Sequence, residues 1–112
     1  MLGLNGKWDL LNIDNYETLD SIDLDMEIQF AKEFICQDIM SEIIYITKSF
    51  EKVEELKSQF KWLAVWGVFD TKNGLELFDI DQRYDGEYFV WRRFMHRDSF
   101  MKFNNDNTII EC

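Results

Sequence analysis

Trp62-Leu-Ala-Val-Trp-Gly-Val-Phe69 is apolar almost throughout, and it runs directly into Asp70-Thr-Lys-Asn-Gly74. Asn-Gly behind an apolar run is a strong hairpin signal, because these residues tolerate the positive φ that tight turns demand. Leu75-Glu-Leu-Phe-Asp-Ile-Asp81 then reads as the return strand. Asp85-Gly86 makes a second such turn, into Glu87-Tyr-Phe-Val-Trp-Arg-Arg-Phe94. An antiparallel run joined by tight turns is expected here, and the rest of the chain must pack against it.

Working outward, Asp98-Ser-Phe-Met-Lys-Phe103, a turn at Asn104-Asn-Asp-Asn107 and Thr108-Ile-Ile110 read as two further short strands in a hairpin. From Lys61 onward the expectation is a meander whose neighbours pair along the chain. Upstream, residues 4–13 read as a first strand. Ile22, Leu24, Met26, Ile28 and Phe30 alternate with Asp23, Asp25, Glu27 and Gln29, the period of a half-buried strand. Between them and Lys61, the residues Ile35, Ile39, Ile43, Ile46, Phe50, Val53 and Phe60 recur mostly every three or four positions, a helical stripe. A helix from residues 31–60 is therefore expected, centred on 49–59 and extending to 31–42. Residues 43–48 are β-branched and aromatic and suit either state.

A chain of 112 residues suits a single domain, 1–112, and 18 aromatic residues supply a core. The net charge is −10. Such a protein is repelled by phosphates, which argues against direct binding of nucleic acid and favours either a basic protein partner or simple solubility. Cys36 and Cys112 form no C-x-x-C motif and no disulfide framework, so a reducing, cytoplasmic setting is expected. The sequence shows neither a secretory leader pattern nor an apolar run long enough to span a membrane.

Catalytic groupings are sparse. His96-Arg97-Asp98-Ser99 holds the one histidine beside Asp and Ser, but triads assemble from distant chain segments, and a polar turn is the simpler reading. One histidine and no His/Cys cluster argue against zinc. Asp20, Asp23, Asp25 and Glu27 lack the glycine and ligand spacing of a calcium loop, so no metal and no cofactor are expected. Arg92, Arg93, His96, Arg97 and Lys102, interleaved with Trp91, Phe94 and Phe100, are expected to pair with neighbouring acidic strands rather than with nucleic acid.

Gly6-Lys7-Trp8, opening the first strand, resembles the G-x-W signature of lipocalin-like (calycin) barrels. The serial strands with Asn-Gly and Asp-Gly turns agree with it, as does the closing pattern Tyr88-Phe-Val, Asp98 to Phe103 and Thr108 to Glu111. The resemblance implies a tryptophan plugging one barrel end against a basic residue, with Arg92, Arg93 or Lys102 in that part. It also implies a small apolar ligand inside the barrel, near Trp8, Trp62, Trp66 and Trp91, although some members bind proteins.

The expected fold is mainly β with some helix (α+β): an antiparallel meander curled into a partial or complete lipocalin-like barrel, with the 31–60 helix covering it. The expected function is non-enzymatic. Asp9, Asp14, Glu17, Asp20, Asp23, Asp25 and Glu27 form a stretch without Lys or Arg, suited to docking on a basic protein such as a nuclease or toxin and inhibiting it, in the manner of immunity or anti-defence proteins. Tyr16, Tyr84 and Tyr88 are the candidate aromatic anchors. The alternative is a lipocalin-like carrier of a small apolar ligand.

Overall fold

The computed structural model describes residues 27–112. A 3-10 turn, Ile28–Phe30, leads into β1 (Glu33–Asp38) and β2 (Ile43–Thr47). Helix α1 (Phe50–Gln59) follows, then β3 (Leu63–Thr71), β4 (Gly74–Gln82), β5 (Tyr88–His96), helix α2 (Arg97–Phe103) and β6 (Thr108–Glu111). The six strands form one sheet in the order β5-β4-β3-β1-β2-β6. Every pairing is antiparallel except that of β2 with β6, which is parallel.

The β3–β4–β5 run matches its sequence signals. Thr71 pairs with Gly74 across a two-residue loop, and Gly74 takes φ +100°, a conformation a side chain would strain. Gly86 takes φ +94° in the turn before β5, and its N–H bonds the Arg83 carbonyl at 2.9 Å. Gly67 answers a different need. A Cβ there would lie 2.8 Å from Phe69 Cε1 and 2.9 Å from Ile80 Cδ1, so its absence lets two buried side chains close over the strand.

Four expectations are corrected. The sheet is open and mixed, with β5 and β6 as its two edges among the described residues, and is not closed into a barrel. The 31–60 helix is confined to Phe50–Gln59, while residues 33–38 and 43–47 are strands. The isoleucine stripe was accidental: Phe34, Ile35 and Cys36 are consecutive and all buried, because β1 is a central strand covered on both faces. Ile28 to Phe30 form a 3-10 turn with Phe30 exposed, not the end of an alternating strand. Asp98–Phe103 is helical, so Thr108–Glu111 has no hairpin partner there and pairs with β2 instead.

The last correction explains the architecture. Residues 97–107 carry the chain from the β5 edge to the β6 edge. Helix α2 makes the crossing together with a turn in which the Asn104 N–H bonds the Phe100 carbonyl at 3.0 Å and the Asn107 N–H bonds the Asn104 carbonyl at 3.0 Å. Asp98 in the first turn and Lys102 in the last suit the helix dipole. Phe100 points into the core with Ile35, Ile44, Ile46, Trp66, Val68 and Leu77. Arg97 Nε bonds Glu33 on β1, and Asn104 Nδ2 donates to the Phe100 carbonyl at 2.9 Å. The crossing segment is thus pinned at start, middle and end.

The opposite face is covered by α1. Ser49 caps it by accepting from Lys52 N–H at 3.4 Å, and Val53 and Leu56 bury their side chains. They meet Phe34, Cys36, Val65 and Ile80, with Phe50 and Tyr88 packed edge-on beside them at 4.8 Å. Phe69 and Phe78 extend this layer as a perpendicular pair at 5.6 Å.

Candidate functional site

Strand direction sorts the loops. The end of β1, the starts of β2, β3 and β6, and the β4–β5 turn all lie at one end of the sheet. That end gathers exposed side chains of two kinds. Ile39 and Met40 from the β1–β2 turn, Trp62 from the approach to β3, and Tyr84 from the β4–β5 turn are 61%, 76%, 56% and 105% exposed. Glu42, Asp81, Asp85, Glu87 and Asp106 are exposed beside them. Lys61 and Arg83 are among the cations at this end, and each sits over a ring: Lys61 Nζ lies 5.5 Å from Trp62 and Arg83 Cζ 5.1 Å from Phe89.

Local chemistry holds these turns open. Asp38 is buried, accepting from Met40 N–H at 3.2 Å and Ser41 Oγ at 2.6 Å. The bonds wrap the β1–β2 turn tightly enough to force Glu42 to φ 62°, a costly conformation for a residue with a long side chain. Asp85 Oδ1 accepts from Glu87 N–H at 3.0 Å and shapes the second turn.

At the same end the sheet splits. The β3–β4 ladder stops at Trp66↔Asp79. Leu63, Ala64 and Val65 continue alongside β1, while Ile80, Asp81 and Gln82 continue alongside β5. A cleft of about 120 Å³ opens between them, lined by Lys57, Leu63–Trp66 and Asp79–Asp81. A carrier of drug-sized apolar ligands needs roughly 300 Å³ or more. Asp79 accepts from Arg92 Nε at 2.6 Å, and burial raises its proton affinity above the usual aspartate range despite that bond. Trp91 Nε1 donates to Asp81 Oδ2.

Of the expected partner-binding residues, Asp9, Asp14, Tyr16, Glu17, Asp20, Asp23 and Asp25 lie outside the described residues, as does Trp8. Glu27 is exposed. Tyr84 stands free on its turn, whereas Tyr88 is half-buried under Lys57, 5.6 Å away, and burial raises its phenol pKa. The three described tryptophans do not converge. Trp62 is out in a loop, Trp66 is buried and stacked on Phe94 at 5.1 Å, and Trp91 is on the edge strand.

Four residues of the basic cluster are engaged with acidic side chains, while Lys102 is exposed and makes no ion pair among the described residues. Arg92 pairs with Asp79, Arg97 with Glu33, and Arg93 and His96 with Glu76, which is 1% exposed. His96 therefore faces a carboxylate of β4, not Ser99. Cys36 is buried and its thiol pushed up to about 12 by burial, while Cys112 is exposed. Among the described residues, no helix is long and apolar enough to cross a membrane.

The cleft and the turn cluster escaped sequence reasoning. Glu42, Asp85, Glu87 and Asp106 are scattered along the chain, and topology alone brings them to one end. The spacing Asp79-x-Asp81 was a visible signal, since both carboxylates fall on one face of β4. No family model matches the chain, and neither a curated protein nor a solved structure does.

Proposed function

We propose that this is a non-enzymatic acidic binding protein that docks on a basic protein partner through the turn end of its sheet. The observation that carries the reading is the grouping of Ile39, Met40, Trp62 and Tyr84 with five exposed carboxylates at that end. Exposed aromatic and methionine side chains rimmed by charge are what a protein interface requires: anchors for affinity, and a field for encounter. The acidic run Asp9 to Glu27 adds to the overall negative charge, because residues 1–26 hold half of the net charge of −10. A groove in which a nuclease or toxin holds an anionic substrate has the matching chemistry, and occupying it would inhibit that enzyme. Two cysteines with no disulfide between them fit a reducing compartment such as the cytoplasm.

The test begins with capture from host extract at low and high salt, to identify the partner. Association is then measured for the wild type, for a variant with Glu42, Asp85, Glu87 and Asp106 changed to Lys, and for one with Asp23, Asp25 and Glu27 changed to Lys. A basic partner and an on-rate at least about tenfold slower, with a weaker salt dependence, are expected. An unchanged on-rate in both variants, or an acidic partner, would remove the reading. Tyr84→Ala should act mainly on the dissociation rate, since it removes a contact and no charge.

A further inference from the structure

The cleft between β3 and β4 has in or beside it Lys57, Asp79 and Arg92, which the docking reading leaves unused, and Asp81, which that reading counts among its carboxylates. Four charged groups line or border it. Asp79 and Arg92 satisfy one another at 2.6 Å. That leaves Lys57 and Asp81, opposite in sign and lining the same space, yet forming no ion pair with each other. Lys57 Nζ sits 5.6 Å from the centroid of the Tyr88 ring, and Asp81 has the Trp91 indole on one oxygen. The remaining lining is formed by the apolar residues Leu63, Ala64, Val65, Trp66 and Ile80.

The geometry points to a binding site for a small zwitterion, a free α-amino acid of glycine or alanine size. Its ammonium would meet Asp81, its carboxylate Lys57, and its Cα substituent the apolar wall. Size decides the class. A cavity of about 150 Å³ holds benzene, with six heavy atoms, so about 120 Å³ holds about five. Charge decides the chemistry. A simple cation would leave Lys57 unanswered, and a simple anion would leave Asp81 unanswered. The inference shares Asp81 with the docking reading but needs no partner protein.

The test uses the full chain labelled with nitrogen-15. Glycine and L-alanine are titrated to about 20 mM near neutral pH while the indole N–H signals are followed. The Trp91 indole bonds Asp81 and is the direct reporter. Saturable shifts with a Kd on the order of a millimolar are expected, as a ligand of so few atoms supports no more than weak binding. Methylamine, acetate and L-leucine should each bind at least about tenfold more weakly. Asp81→Asn and Lys57→Gln should each abolish the shift. Ala64→Leu should do the same by filling the space, which gives a second route if a charge variant folds poorly. No saturable shift, binding retained in Asp81→Asn, or equal binding of methylamine or acetate would overturn the assignment.

Discussion

On one face of the sheet lies a ten-residue helix, α1, beside strands that directly precede and follow it in the chain. On the other face an eleven-residue strap arrives from β5 and leaves into β6, touching neighbours distant in sequence. Helix α1 buries Val53 and Leu56 and the strap buries Phe100, to similar depth. They differ in what must already exist for them to form. The α1 face is capped, amphipathic and local, so it can assemble with its hairpin. The strap needs both sheet edges in place before its contacts are made, and closing that long loop costs entropy early.

The largest expected effect tests the strap directly. Phe100→Ala should cost about 3–5 kcal/mol by removing an aromatic ring from the core, and Leu56→Ala about 2–4 kcal/mol on the α1 face. Urea unfolding of both variants ranks the two faces. A smaller loss for Phe100→Ala than for Leu56→Ala would mean that the strap is a passive cover.

Next in size are the devices that end each cover. Asn104→Ala removes the bond to the Phe100 carbonyl and the acceptor for Asn107 Nδ2, costing about 1–2 kcal/mol. Ser49→Ala removes a longer and more exposed cap bond on α1, costing about 0.5–1 kcal/mol. Equal losses would erase the distinction between a buried and an exposed cap.

A pH series sharpens the comparison further, since Asp79 lies on the strap face opposite Trp66. Burial raises its folded-state pKa above the unfolded value. The stability this contributes is complete below the ordinary aspartate pKa and is lost as pH rises through the raised one. Asp79→Asn has no such loss, so its urea midpoint should gain on that of the wild type across that window. Parallel midpoints would show that Arg92 fully compensates the buried charge.

The smallest effect is kinetic. With a thiol reagent near pH 8, Cys112 should react at once and Cys36 only when the α1 face opens, because Cys36 is buried and its thiol is held neutral. If the two faces open independently, Phe100→Ala should leave the Cys36 rate almost unchanged. A rate that rises in step with the lost stability would make the protein a single cooperative unit.

The candidate site was legible in its parts and illegible in its place. Tyr84 was named as an anchor from its sequence and stands exposed. Trp66 was named as a ligand contact and does line a cleft, but a cleft too small for the apolar cargo expected. Lys57 and Asp81 are 24 positions apart, on a helix and a strand, and only the divergence of β3 from β4 makes them neighbours of one space.

Short-range chemistry determined the β3–β4–β5 hairpins and the body of α1, because Asn-Gly, Asp-Gly, a serine cap and a helical stripe act within a few residues. Whether residues 33–38 and 98–103 became strand or helix was settled by tertiary structure. A segment buried on both faces loses its period, and a segment laid over a sheet face can turn one side to the core as a helix, as Phe100 does. The open mixed sheet follows from that crossing, since a strap delivering β6 beside β2 leaves β5 at the opposite edge.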